Sequence, residues 1–235
     1  PGLLVVGALQ FGVTYICLYQ SFEYISVPEV LLFTIFTPLH VALIDDLLNR
    51  RFSLGPLVAA AIAVVGAGII RYDGLSDSFI RGFLILQLAN FTFAAGQVGY
   101  AYLVRHYGLT STQQWRGFGL FFIGALMVML PAWLLLGNPE RLPHTTVQWS
   151  VLAWLGLVAS GLGFLFWNRG AAQVDAGTLG IMNNALVPAG LLVNLLIWNH
   201  DADLLRLAAG SAVIGVSLWV NARWTRWFGA RPAQS

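Results

Sequence analysis

The chain has 235 residues, of which 58% are hydrophobic and only 9% charged, against about a quarter charged in ordinary soluble domains. That composition excludes a soluble domain and a disordered chain, and it leaves a polytopic membrane protein. The net charge of +2 comes from 12 arginines interleaved with ten acids, so no basic run addresses nucleic acid. A single Cys17 allows no internal disulfide and no cysteine-based zinc site.

Eight apolar segments follow in chain order: Gly2–Tyr19, Val27–Leu48, Leu54–Ile70, Gly82–Val104, Gly117–Gly137, Trp149–Asn168, Ala176–Trp198 and Leu204–Ala222. Their lengths suit the ~20 residues that carry a helix across a bilayer. The second is the weakest, because Glu29 sits near its start. Polar breaks such as Asn49-Arg50-Arg51, Arg71-Tyr72-Asp73-Gly74, Gly137-Asn138-Pro139-Glu140-Arg141 and Asn199-His200-Asp201 separate them. A membrane barrel would alternate polar and apolar residues along each strand, whereas these runs are apolar on nearly all sides. The expected fold is all-α, a polytopic transmembrane helix bundle. The first stretch lacks a basic start and does not read as a signal peptide.

Arginines set the orientation. The side of the N-terminus receives Arg50, Arg51, Arg105, Arg116, Arg169, Arg223, Arg226 and Arg231; the other side receives Arg71, Arg81, Arg141 and Arg206. The excess places the N-terminal side and the C-terminus in the cytoplasm. Glu23, Asp73, Asp77, Glu140, Asp201 and Asp203 fall opposite.

The chain echoes itself at an offset near 150 residues. Tyr15 through Phe22 lines up with Phe164 through Ala171, Ile25-Ser26-Val27-Pro28 with Val174-Asp175-Ala176-Gly177, Pro38 with Pro188, and Ala63-Val64-Val65-Gly66 with Ala212-Val213-Ile214-Gly215. The offset spans five segments, an odd number, so the copies lie inverted in the membrane, a pattern of secondary transporters. The second copy has five helices and the first has three, which reads as a protein entered part-way through, with two helices absent before Pro1.

A mid-helix proline in the fourth helix and a glycine-rich fifth helix of each repeat resemble the EamA-like branch of the drug/metabolite transporter superfamily. The residues carrying the resemblance are Leu18 through Val27, Thr37-Pro38 and Gly55 through Ile70, recurring as Gly170 through Ala176, Val187-Pro188 and Ala208 to Gly215. It implies a partial first EamA-like repeat over 1–72, a second over 81–224 and a cytoplasmic tail over 225–235. It also implies a central solute cavity between the repeats, lined in part by the missing first helix, and often export of amino acids or related metabolites.

Polar groups within a bilayer turn inward and find partners. Gln87, Asn90 and Gln97 share a stripe of the fourth segment with Ala94 and Ala101, which suits a cavity wall and equally suits interhelical hydrogen bonding. Gln87, nearer the end, leans to packing. On the two proline helices, Val30, Thr34, Thr37, Pro38 and Val41 match Gly180, Asn184, Val187, Pro188 and Leu191. Each proline removes a backbone donor and frees the carbonyl one turn before it, on Thr34 and on Asn184. A kinked helix with loose polar groups suits a gate or a solute site, or a kink satisfied by its neighbours.

Tyr15, Tyr19, Phe91, Tyr100, Phe164 and Trp167 form a candidate aromatic surface. The solute contacts expected are Tyr15, Thr34, Asn90, Gln97, Trp167 and Asn184, with Pro38 and Pro188 as gating kinks. Glu29 and His40 are the candidates for proton coupling, although Glu29 also suits a helix cap. Asp45 and Asp46 read as solvated charges beside Arg50 and Arg51.

Gly161-Leu162-Gly163 reads as close packing, as do the stripes Ala59, Ala63, Ala67 and Ala208, Ser211, Ala212, Gly215. No zinc pair, nucleophile turn or phosphate loop is present, so no enzyme activity, cofactor or metal is expected. The expected function is secondary transport of a small organic metabolite across the inner membrane by alternating access. The competing reading is a membrane component without transport of its own. Partners are the solute, the lipid bilayer and a possible second copy in a homodimer.

Overall fold

A computed structural model describes residues 1–71, 79–193, 196 and 204–228. Among the described residues all regular structure is helical, in eight main stretches and a separate 3-10 turn at Pro139–Arg141. Helix α1 covers Gly2–Ser21 and α2 joins Val27–Phe33 to Thr37–Leu48 through a 3-10 turn at Thr34–Phe36. Then come α3 (Leu54–Arg71), α4 (Phe79–Tyr107), α5 (Ser111–Leu136), α6 (Thr146–Ala171), α7 (Ala176–Val193) and α8 (Leu204–Phe228). Six of them are long and apolar enough to cross a membrane, and Leu54–Ile69 is a shorter apolar helix. The polytopic helical bundle expected from composition is what the chain forms. Asp73, Asp77, Trp198, His200, Asp201, Asp203 and the tail from 229 onward lie outside the described residues.

Two helices widen part-way. Ala8–Val13 in α1 and Leu155–Leu162 in α6 are π-helical. In α1 the Thr14 hydroxyl donates to the Leu9 carbonyl five residues back (2.9 Å), so a side chain fills in along the loosened turn. Gly161 and Gly163 were expected to mark close packing. A Cβ at either would meet only backbone of its own helix; they sit where the π-helical stretch returns to α-helix.

The chain clusters into two compact units. The first takes Pro1–Ile16 and Ala95–Val174. Its core packs Phe11 against Phe122 (5.5 Å, stacked) and Phe164 (4.8 Å), and Tyr100 against Phe121 (5.3 Å). Helices α1 and α5 meet backbone to backbone, because a methyl at Gly7 would run into Phe121 and one at Gly124 into the Leu4 carbonyl. Such glycine contacts matter in lipid, where helix association draws on close packing rather than on expelled water. At the end of α4, Arg105 donates to the Ala172 and Val174 carbonyls and so holds the turn that follows α6.

The second unit takes Cys17–Ala94 and Asp175–Ser235. Ala59, Ala63 and Ala67 are fully buried on α3, and Gly66 lies against the Gly210 carbonyl and Ile214 of α8. The buried face of α8 is Leu207, Gly210, Ile214 and Ser217. This corrects the expected stripe: Ala208, Ala212 and Gly215 are exposed, and only Ser211 is half-buried. The alanine face of α3 leaves room that Leu207 and Ile214 fill, so those two, rather than the alanines of α8, form its inward contact.

Helix α7 crosses α2 where Gly180 meets Pro38. Asp45 and Asp46 are also corrected: both are buried, not solvated. After Arg50 takes a left-handed turn (φ 48°), Arg51 folds back to pair with both carboxylates, and Asp46 accepts the Ser53 N–H (2.6 Å).

Candidate functional site

The polar residues of the second unit gather at the break in α2. A 3-10 turn splays its carbonyls sideways, and Pro38 cannot donate back to the Thr34 carbonyl. Each open carbonyl meets a side chain. Thr37 Oγ1 donates to Thr34 O (2.7 Å). Asn90 Nδ2 donates to Phe33 O (2.9 Å), joined by Gln87 Nε2 (3.2 Å). Asn184 Nδ2 donates to Ile35 O (3.0 Å). Thr34 itself donates to Leu31 O (2.9 Å).

With its amide nitrogen committed, Gln87 offers Oε1 to His40 Nε2 (3.0 Å) and more distantly to Asn90 Nδ2 (3.3 Å). His40 therefore donates from Nε2, and its ring stands edge-on to Phe91. Four positions singled out in the sequence (Thr34, His40, Asn90 and Asn184) thus converge on one helix break, with Gln87 and Thr37 completing it. Pro38 is buried at the start of the resumed helix, not inside an unbroken one. Pro188 lies inside α7.

Glu29 is buried at the head of α2, where its Oε2 accepts both the Ser26 N–H (2.8 Å) and the Ser26 hydroxyl (2.7 Å). This is a capping box. Helix α7 opens the same way with the groups exchanged. Asp175 accepts the Thr178 N–H on Oδ1 (3.0 Å) and the Thr178 hydroxyl on Oδ2 (2.6 Å), and Asn221 of α8 adds a third bond (2.8 Å). Partial burial pushes the Asp175 carboxyl up; the bonds from Thr178 and Asn221 outweigh it and hold the carboxyl below its ordinary value.

The first unit differs, because some of its buried polar atoms stay open among the described residues. Gln10 is fully buried in the π-helical stretch of α1, and neither its Nε2 nor its Oε1 finds a hydrogen-bond partner among the described residues. The same holds for Trp167 Nε1 and Asn168 Oδ1 on α6. Asn168 Nδ2 donates to Phe164 O within its own helix (3.1 Å). Gln10 and Asn168 were not singled out from the sequence. The available signal was a lone amide in an apolar run, the same that drew attention to Asn90. Gln97 is fully buried in this unit too. Of the six aromatics, Tyr15 and Phe164 pack against the phenylalanine core and Tyr100 lies within it, while Tyr19 and Phe91 belong to the second unit and are exposed. Among the described residues no cluster of side chains could hold a metal ion.

No family model matches the chain. It is 64% identical over 220 residues to a "Probable biotin transporter" of Pseudomonas aeruginosa, covering 94% of this chain and 77% of that one. It is 49% identical over 222 residues to the "Biotin transporter" of Escherichia coli K12, and 50% to that of Salmonella typhimurium, each covering 94% of this chain and 73% of the relative. A crystal structure of another protein matches the fold with a TM-score of 0.76 at 18% identity, over 95% of this chain and 76% of that one. These relatives overturn the expected placement among EamA-like drug/metabolite transporters, and with it the expectation of amino acid export.

Proposed function

The chain belongs to the family of the bacterial biotin transporters, which makes it a multi-pass membrane transporter of a small metabolite and not an enzyme, and on that premise we propose that the metabolite is biotin. The identity to the Pseudomonas aeruginosa relative carries this reading. Biotin is a carboxylate at neutral pH, and an ion crosses hydrocarbon at a prohibitive free energy without a protein path.

The mechanism proposed is alternating access between two inverted repeats, the first over 1–72 and the second over 81–224. Three parallels support it. The π-helical stretches Ala8–Val13 and Leu155–Leu162 fall near the repeat offset. The two reciprocal caps, Ser26 with Glu29 and Asp175 with Thr178, recur 149 residues apart. Each helix of the first repeat also packs on its counterpart: α1 on α6 at Phe11 and Phe164, α2 on α7 at Pro38 and Gly180, α3 on α8 at Gly66 and Gly210. The break in α2, held by side chains that can trade partners, supplies a pivot. The arginine bias supports an inner-membrane orientation with the C-terminus in the cytoplasm.

Counterflow tests the reading without presuming a direction. Proteoliposomes holding the purified chain and loaded with unlabelled biotin should accumulate labelled biotin from outside, and empty liposomes should not. Equal accumulation in both would refute it.

A further inference from the structure

We propose that Gln10, Trp167 and Asn168 form the subsite for the ureido ring of the transported biotin. The inference rests on biotin being the solute. A polar atom buried in apolar surroundings without a partner is costly and rare in folded proteins. Among the described residues the first unit holds four such atoms in three residues. Its counterpart at the break in α2 shows the contrast, since the amides of Asn90, Gln87 and Asn184 all reach carbonyls.

The inventory matches a cyclic urea. Two open donors, Gln10 Nε2 and Trp167 Nε1, can serve the two lone pairs of the urea oxygen. Two open acceptors, Gln10 Oε1 and Asn168 Oδ1, can take the two urea N–H groups.

The two helices that carry these groups touch. Phe11, next to Gln10, packs on Phe164 (4.8 Å), which lies one turn before Trp167 and Asn168. Gly96 lets Gln10 sit tight against α4, since a methyl there would strike the Gln10 side chain. Gln10 lies within one π-helical stretch and the Trp167–Asn168 pair shortly after the other, and such widened turns are frequent at functional sites. The surrounding phenylalanine cluster would suit the apolar sulfur ring.

The test is labelled-biotin counterflow in proteoliposomes of the full chain, with two competitors. Desthiobiotin keeps the ureido ring and the acid tail; lipoate keeps a sulfur ring and the acid tail without the urea. In the parent protein, desthiobiotin should compete and lipoate should not. Gln10→Met and Trp167→Phe should each raise the KM for biotin about tenfold, the worth of one or two lost hydrogen bonds, without lowering the melting temperature. Their combination should lose the preference for desthiobiotin. Variants with the parent's KM and preference would overturn the assignment. So would lipoate competing as well as desthiobiotin in the parent, a result that needs no variant. A parent without biotin counterflow would overturn the proposed function itself, and this inference with it.

Discussion

Replacing Asn184 by alanine should destabilise the protein more than replacing Asn90, although both are buried amides donating to carbonyls of the same broken turn. Interhelical side-chain hydrogen bonds in membranes contribute about 0.6–2 kcal/mol, and a buried carbonyl left unsatisfied adds about 1–3 kcal/mol. Asn184→Ala removes the Asn184 amide from Ile35 O, so we expect a loss of about 2 kcal/mol. Asn90→Ala leaves Gln87 Nε2 on Phe33 O (3.2 Å), and the loss should stay under about 1 kcal/mol. Removing Gln87 and Asn90 together strips that carbonyl of both side chains, so the double variant should exceed the sum of the single losses by about 1 kcal/mol. Equilibrium unfolding in mixed detergent micelles measures all four. Equal losses for Asn90→Ala and Asn184→Ala, or strict additivity of the Gln87 and Asn90 losses, would refute this account. Unchanged stability with lost counterflow would instead place the amides against solute.

Glu29→Ala should lose about 1 kcal/mol through its cap, with any dependence of flux on an imposed pH gradient unchanged, as vesicle transport at two external pH values would show. Asp175 has a folded-state carboxyl below its ordinary value, so its contribution is complete above the ordinary carboxylate range and is lost as pH falls through the lowered one. The carboxyl is solvent-reachable, so melting curves from neutral to acid pH should show a loss below about 1 kcal/mol, absent in Asp175→Asn. Gly124→Ala should lose about 1–3 kcal/mol, because its methyl meets rigid backbone at Leu4. In a Cys17→Ser background, a cysteine beside Glu140 should react with an impermeant thiol reagent on intact cells, and one beside Arg50 should not.

Much of the fold was legible because membrane helices announce themselves by composition. Each of the eight apolar segments is helical over its described residues, from α1 to α8. The widened turns were not legible, since a shift from i−4 to i−5 bonding leaves no residue signature around Ala8–Val13. The inward face of α8 was misread because small residues look like an interface until the partner is known; here α3 supplied the alanines. The amides Asn90 and Asn184 stood out as polar groups in apolar runs. Their acceptors did not, because a backbone carbonyl exists at every position and only the broken turn at Thr34–Phe36 frees it. Gln10 carries the same signal, a lone amide in an apolar run, but nothing in the sequence shows that its amide lacks a partner. The prolines and glycines that suggested a family occur in many membrane helices, so the resemblance they carried was a weak guide to the solute.

The first unit is assembled from two stretches far apart in the chain, Pro1–Ile16 and Ala95–Val174. At a ribosomal pace of about 5–20 residues per second, the intervening residues take roughly 4–16 s to make. For that interval the amide of Gln10 is in the membrane before Gly96, its later neighbour, has been synthesised. Until then the Gln10 side chain lacks the α4 backbone it packs against, and a polar side chain facing hydrocarbon costs free energy. Helix α1 therefore waits in the membrane without the α4 surface it packs against, and slowing translation between Cys17 and Ala94 should increase proteolytic loss of the chain.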